Sequence, residues 1–170
     1  MIEKVIKGIK YLLDEENLTA EVIQKKGYEG DFIIPETVVF KKVAYRVTSI
    51  GESAFESCES LTSIVIPDSV KSIGDRAFFR CSSLTSIVIP DGVTSIGERA
   101  FQYCSSLTSI VTPDSVTSIG ESAFHGCKSL TSITFNGTKA QWKGINLGYS
   151  WKNDVPTKVI HCTDGEVKIN

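Results

Sequence analysis

The sequence predicts an α/β fold, rich in β-strand, in which similar units stack into a right-handed solenoid. The pentapeptide "SLTSI" occurs four times, and each occurrence begins 23 residues after the previous one. Cutting the chain before each "V-x-S-I-G" motif divides residues 47–138 into four units of 23 residues, and 12 of the 23 positions are identical in all four. A fixed period of this length is typical of stacked repeats, in which each unit buries its apolar face against its neighbours.

The most regular part of each unit, "LTSIVIP" in the second unit, predicts a strand. Apolar residues alternate late in this run, so Leu84, Ile87 and Ile89 are expected to point inward, and Ser86 and Val88 outward. These strands are expected to form one parallel sheet on the concave side of the solenoid.

The rest of each unit predicts a second extended piece and a short helix on the other side. "Val93-Thr94-Ser95-Ile96" is the extended piece, and Gly97 is expected to allow a sharp bend after it. The segment "ERAFQYC" that follows places Ala100, Phe101 and Cys104 on one face of a helix.

The unvarying residues predict apolar columns through the core. The columns are Phe55, Phe78, Phe101 and Phe124; Leu61, Leu84, Leu107 and Leu130; and Ile64, Ile87, Ile110 and Ile133.

The two flanking segments are expected to close the ends of one continuous domain. Residues 1–46 predict an N-terminal β cap with a degenerate first rung, because "FIIPETV" aligns with "IVIPDSV" of the first unit. Residues 47–138 are the four repeats. Residues 139–170 predict a C-terminal cap with a helix that begins after Thr138 and a last strand over residues 158–162.

The composition excludes several function classes. The net charge of −2 and the absence of a basic stripe argue against nucleic acid as a partner. No apolar run reaches the roughly 20 residues that a membrane-spanning helix needs, so no membrane insertion is expected. The start "MIEKVIKGIKYLL" lacks a small-residue cleavage site and is not a secretory signal. The sequence therefore allows either an intracellular protein or one whose signal has been removed.

The repeat consensus resembles a known family. The pattern "C-x-S-L-T-S-I-x-I-P-x-x-V-x-S-I-G-x-x-A-F" is similar to the BspA-like class of bacterial leucine-rich repeats, also found in some protist surface proteins. The flanks "LTAEVIQKKGYEGDFIIPETV" and "FNGTKAQWKGI" resemble the same family, although Lys41-Lys42 stands where its members often have an Asn-Gly-like turn. The resemblance implies a leucine-rich repeat solenoid, a secreted or cell-surface location, and adhesion through protein–protein interaction.

The titratable residues do not predict an enzyme. Four cysteines, Cys58, Cys81, Cys104 and Cys127, recur at one repeat position, which favours buried reduced thiols over a metal site or disulfides. Cys162 is expected to be inward and reduced as well. His125 is expected to face solvent at a variable position. We expect no catalytic residue, no bound metal and no cofactor.

The outward positions of the strands are the candidate contact surface. Two ladders are expected on the concave face, and each begins in the degenerate rung, at Asp31 and at Ile33. The candidate partner-binding residues are Ser63, Val65, Ser86, Val88, Ser109, Val111, Ser132, Thr134 and, at the edge of the sheet, His161. A row of exposed valines is apolar surface that a soluble monomer has little reason to keep, although β-branched residues also simply favour strands.

Two functions therefore remain open at this point. The first is a monomeric, non-catalytic adhesion module that binds a protein or glycan at the cell surface. The second is an intracellular scaffold or spacer with the same fold.

Overall fold

The computed structural model describes residues 1–169, and short β-strands dominate it. The strands of the N-terminal flank and the start of the first unit are β1 (Ile2–Ile6), β2 (Ile9–Asp14), β3 (Thr19–Val22), β4 (Gly30–Ile33), β5 (Thr37–Phe40) and β6 (Val43–Ile50). The strands of the repeats are β7 (Leu61–Val65), β8 (Ser72–Ile73), β9 (Ser86–Val88), β10 (Ser95–Ile96), β11 (Ser109–Thr112), β12 (Ser118–Ile119) and β13 (Ser132–Phe135). The C-terminal flank contains α1 (Lys139–Lys143), β14 (Asn146–Leu147), β15 (Val159–Cys162) and β16 (Gly165–Lys168).

The strands with the "LTSIV" sequence pair in parallel with residues 23 apart. Ser86, Ser109 and Ser132 are neighbours in register, and Ile87, Ile110 and Ile133 are as well. The burial alternates as the sequence predicts, because Leu84, Ile87 and Ile89 are buried whereas Ser86 and Val88 are exposed.

The expected single sheet is interrupted, however. Strands β16-β15-β13-β11-β9 form one sheet, and β4-β7 form a separate pair. Residues 61–65 and 84–88 have the same sequence, so the repeat pattern does not predict a break between them. The pairing register of β4 with β7 shifts between Gly30 and Asp31. The pairing of β9 with β11 has no such shift.

A second sheet follows the "V-x-S-I" segments. The two-residue strands β8, β10, β12 and β14 pair in parallel and continue from β6, and the antiparallel β1–β2–β3 meander extends the sheet at the other end. Each unit therefore contributes one strand to each of two stacks, which is the arrangement of a β-rich stack of repeats.

The predicted short helices inside the repeats are wrong, because these segments are turns. Arg99 and Tyr103 have φ of 54° and 62°, in the left-handed region, and the equivalent residues of the other units do the same. Phe101 N–H donates to Ala123 O of the next rung at 2.8 Å, whereas Cys104 N–H donates to Phe101 O of its own rung at 3.1 Å. Since the neighbouring rung supplies alternate acceptors, the backbone does not close the i to i−4 bonds of an α-helix.

The phenylalanine column is confirmed as the centre of the core. Phe55, Phe78, Phe101 and Phe124 are at most 1% exposed. Consecutive rings stack with centroids 5.1 to 5.4 Å apart and are within 5° of parallel. Tyr28 packs on Phe55 at one end, and Trp151 packs edge-on against Phe124 at the other.

The N-terminal flank contains a tight hairpin, although its turn lacks the Asn-Gly pair that usually favours one. Strands β5 and β6 pair down to Phe40 and Val43, with a two-residue turn between them. Its residues, Lys41 and Lys42, have φ of 49° and 69°, so two lysines adopt the conformation that favours Asn-Gly.

Residues 146–155 form a further rung that the sequence analysis missed. β14 pairs with β12. Phe124 N–H donates to Trp151 O at 2.7 Å, just as the equivalent Phe101 N–H donates to Ala123 O of its next rung. Ser150 and Asp154 have the positive φ of the repeat turns.

Asn170, the last residue of the predicted C-terminal cap, lies outside the described residues. The right-handed winding and the boundaries at 46 and 138 stay predictions.

Candidate interaction surface

The outward residues of β4, β7, β9, β11, β13 and β15 form one surface, which we call the ladder face. It consists of an apolar row and a polar row. The apolar row is Ile33, Val65, Val88, Val111 and Thr134, and the polar row is Asp31, Ser63, Ser86, Ser109 and Ser132.

The apolar row is most exposed in its N-terminal half. Ile33, Val65 and Val88 are 71%, 56% and 62% exposed. Val111 and Thr134, the last two members of the row, are half-buried. The apolar surface available to a partner is therefore concentrated on the first three strands and does not run evenly along the solenoid.

The polar row begins with a hydrogen-bonded carboxylate. The hydroxyls of Ser63 and Thr62 donate to Asp31 Oδ1 at 2.6 and 2.9 Å. These two bonds, that from Ser63 first, lower the pKa of Asp31, so the carboxylate carries its charge at neutral pH. Of the remaining serines, Ser86 is exposed, and Ser109 and Ser132 are half-buried.

The break between β7 and β9 opens a cleft in the ladder face. Thr85 N–H donates to Thr62 O across it at 3.3 Å. Beyond this contact the two strands enclose about 350 Å³, with Val65 and Val88 among the lining residues. Val65 and Val88, the two most exposed valines of the ladder face, therefore border a depression, which a flat sheet would not provide.

His161 does not lie on an edge strand as expected. β16 pairs on the outside of β15, and His161 lies between Thr134 and Glu166. Its Nδ1 is 3.1 Å from Glu166 Oε1, and both side chains are about half exposed. His161 thus continues the ladder face but is engaged with its hairpin partner.

The turn side carries a cluster of variable residues that the sequence analysis missed. The guanidinium of Arg80 lies over the rings of Phe79 and Tyr103, at 5.2 and 5.9 Å. His125, expected to face solvent freely, is half-buried and packs edge-on against Tyr103 at 5.4 Å. The signal was present in the sequence, because each of the last three units has an aromatic or basic residue at one or both of the two variable positions in the middle of the unit.

The cysteines form no metal site or disulfide in the described part of the chain. All five are free, and four are buried. Cys162 is partly buried and packs against the core, which confirms its expected inward position. The thiols of Cys81, Cys104 and Cys127 each donate to the carbonyl of a phenylalanine 26 residues earlier in the chain, at 3.0 to 3.1 Å. Burial raises the pKa of these thiols, so they remain protonated and unreactive.

Within residues 1–169, no three His, Cys, Asp or Glu side chains come together as a metal-binding group. The same residues contain no helix with the length and hydropathy that a membrane crossing requires.

Comparison with known proteins identifies a family. The family model of the BspA type leucine rich repeat region matches residues 36–144 in six copies. No curated protein matches the chain significantly.

Three similar solved structures are bacterial. A leucine rich cell surface protein from Faecalibacterium prausnitzii is 29% identical, with a TM-score of 0.68, over 94% of this chain and 45% of that one. A leucine-rich repeat protein from Bacteroides capillosus is 29% identical, with a TM-score of 0.71, over 79% of this chain and 99% of that one. A third, from Bacteroides ovatus, is 34% identical, with a TM-score of 0.69, over 86% of this chain and 40% of that one. The chain thus spans less than half of two of these proteins.

Proposed function

The chain belongs to the family of BspA-type leucine-rich repeat proteins, and from this premise we propose that it is a non-catalytic binding module that contacts a protein partner through its ladder face. The apolar row carries this proposal. Ile33, Val65 and Val88 are more than half exposed on three successive strands. Continuous apolar surface of this kind is typical of contact sites.

The chemistry of the ladder face favours a protein over a glycan. Branched aliphatic side chains bind by excluding water from apolar groups. The cleft beside Val65 and Val88 offers a recess for one such group. A glycan would instead depend on the polar row, where Asp31 is already engaged by Ser63 and Thr62.

The proposed location is the cell surface. The similar protein from Faecalibacterium prausnitzii is described as a cell surface protein, and we extend that location to this chain. Antibody labelling of intact and permeabilised cells tests it. Labelling of intact cells is the expected result, whereas labelling only after permeabilisation would favour the intracellular scaffold.

A matched pair of lysine substitutions tests the contact surface. Val88→Lys places a charge in the apolar row, and Thr94→Lys places the same charge on the second sheet, where Lys71 occupies the equivalent position of the neighbouring unit. Both sites are exposed, so both variants should melt close to the wild type. Burying the lysine charge against an apolar partner is costly. Binding to the protein partner that the wild type captures should therefore weaken at least tenfold, about 1.4 kcal/mol, in Val88→Lys only.

Equal binding of the two variants and the wild type would show that the partner docks outside the ladder face. Loss of binding in Thr94→Lys alone would place the contact on the second sheet.

A further inference from the structure

The turn between β13 and α1 contains the dipeptide Asn136-Gly137. Asn136 is the one asparagine in the sequence that a glycine follows. It is exposed, and its side-chain amide takes part in no hydrogen bond within residues 1–169. The backbone N–H of Gly137 donates no hydrogen bond in the same part of the chain. Two neighbouring groups that can react with each other are therefore both unengaged.

The reaction open to these groups is the loss of the side-chain amide, which makes asparagine a thermolabile residue. The backbone nitrogen of Gly137 attacks the side-chain carbonyl carbon, Cγ, of Asn136. The new bond closes a succinimide ring, the Cγ–Nδ2 bond breaks, and the amide nitrogen leaves as ammonia with the proton of the Gly137 N–H. Glycine favours this step because it has no side chain to obstruct the attack and because its backbone is conformationally permissive.

Water completes the reaction by one of two routes. Addition of water at Cγ opens the ring to an ordinary aspartate. Addition at the main-chain carbonyl carbon opens it instead to isoaspartate, in which the main chain runs through Cβ and Cγ and is longer by a methylene group. Both products carry a carboxylate in place of the neutral amide, but only isoaspartate changes the length of the backbone.

The backbone on both sides of this position is held by other segments, so a longer main chain does not fit. Asn136 N–H donates to Thr112 O at 2.9 Å. Gly137 O accepts from the N–H and the hydroxyl of Thr163, at 3.0 and 3.1 Å. The ring of Phe135 lies against Gly137, because a Cβ built on that glycine would be 2.5 Å from Phe135 Cε1. An added methylene group must therefore break some of these contacts.

From these observations we propose that Asn136 is a site of spontaneous modification, at which the folded protein acquires isoaspartate, and that the modified chain holds its C-terminal flank less firmly. Phe135 links the two effects. It packs against Gly137 on one side and against Trp142, with ring centroids 5.4 Å apart, on the other. The proposal does not depend on the function proposed for the ladder face, since Asn136 is not among the residues of that surface.

Mass spectrometry of the folded, full-length chain during incubation at 37 °C tests the reaction. Asn146 is the matched internal control, because it is also exposed and its N–H also donates to a backbone carbonyl, Thr117 O at 2.9 Å, but a leucine follows it. A sample digested before incubation corrects for changes during digestion. We expect the mass gain of about one dalton to accumulate at least tenfold faster at Asn136 than at Asn146, with isoaspartate identified from its backbone fragments. Equal rates at the two residues would overturn the proposal.

Urea denaturation followed by tryptophan fluorescence tests the effect on the C-terminal flank. The two tryptophans of the chain, Trp142 and Trp151, both lie in this flank and report on it. The purified isoaspartate form is compared with fresh wild type and with Asn136→Asp, which has the added charge on a backbone of normal length. We expect the isoaspartate form to unfold at a lower urea concentration than both, and Asn136→Asp to unfold with the wild type, because the position is exposed. Coincident curves for the isoaspartate form and Asn136→Asp would overturn the effect on the flank.

Asn136→Gln is the control for the incubation itself. It keeps a side-chain amide at the exposed position, but the ring that it would form is larger by one atom and closes far less readily. After the same incubation it should show neither the mass gain at this position nor a change in its urea curve. An equal loss of stability in incubated Asn136→Gln would show that a change elsewhere causes it, which also overturns the proposal.

Discussion

At the scale of single residues, the repeat cysteine is more than a small apolar filler. Its thiol donates to a phenylalanine carbonyl of the preceding rung, and that carbonyl also accepts the amide of the cysteine in its own rung. Phe101 O, for example, accepts from Cys127 Sγ at 3.0 Å and from Cys104 N–H at 3.1 Å. The thiol proton therefore contributes to the contact between rungs.

This role predicts a loss of stability at alkaline pH. Burial raises the pKa of Cys127 from 9.0 to about 12. Between these two values the unfolded chain loses the thiol proton and the folded chain retains it. The stabilisation is therefore fully present below pH 9 and is lost as the pH rises toward 12, by at most about 1.4 kcal/mol per pH unit for one thiol.

Urea titrations from pH 8 to 10.5 measure this effect. Cys127→Ala should be less stable than the wild type at pH 8, because it lacks the thiol and its hydrogen bond. Its free energy of unfolding should then fall less steeply above pH 9. Parallel curves for the two proteins would show that Cys127 does not retain its proton.

At the scale of the structural elements, glycine permits the rungs to approach each other closely. The sequence predicts a sharp bend at Gly97, but the φ of Gly97 is not in the left-handed region. A Cβ built on Gly97 would lie 2.5 Å from the backbone carbon of Gly74, its counterpart in the preceding rung. Gly120 stands in the same relation to Gly97. The invariant glycine is therefore required by the distance between stacked backbones.

Gly97→Ala should consequently destabilise the protein by about 2 kcal/mol or more, because backbone must move to admit the methyl group. The measurement is the free energy of unfolding in urea. Gly8→Asn is the control, since no atom lies within 4 Å of a Cβ at Gly8 and Asn tolerates its φ of 87°. A loss below about 0.5 kcal/mol for Gly97→Ala would mean that the rungs are spaced more widely than the structure has them.

At the scale of the whole molecule, aromatic residues cover both ends of the phenylalanine column. Tyr28 contacts Phe55 with centroids 4.8 Å apart. At the other end Trp151 contacts Phe124, and Trp142 lies between Trp151 and Phe135. The flanking segments thus bury the apolar surface that the first and last repeats would otherwise expose to water.

Ending the chain at Thr138 should therefore abolish cooperative unfolding or cause aggregation, because it removes the further rung at 146–155 and exposes Phe124 and Phe135. Urea denaturation and size-exclusion chromatography measure these outcomes. A chain that ends at Asp164 is the control, since it lacks β16 but keeps Trp142 and Trp151. A soluble monomer with one sharp transition in the chain that ends at Thr138 would show that the C-terminal flank is accessory.

The sequence alone predicted the leucine-rich repeat family, the inward and outward faces of the "LTSIV" strands, and the phenylalanine column. These features follow from a period that repeats four times, because identical residues at a fixed spacing must occupy equivalent positions in a stack. The valines of the ladder face were identifiable for the same reason. Their alternation with buried isoleucines determines which side of the strand they occupy.

Only the tertiary structure decided the features that depend on contacts between rungs. The segments predicted to be helices are turns because the next rung supplies their hydrogen-bond acceptors. The break between β7 and β9 separates two strands of the same sequence. The residues of these two strands therefore do not cause it, and the difference lies in the strands that flank them, β4 and β11. The rung at 146–155 lacks the repeat consensus. It forms because β12 and the Phe124 amide of the preceding rung supply its hydrogen-bond partners. Local sequence carries no signal for such features, since the interacting groups lie more than 20 residues apart along the chain.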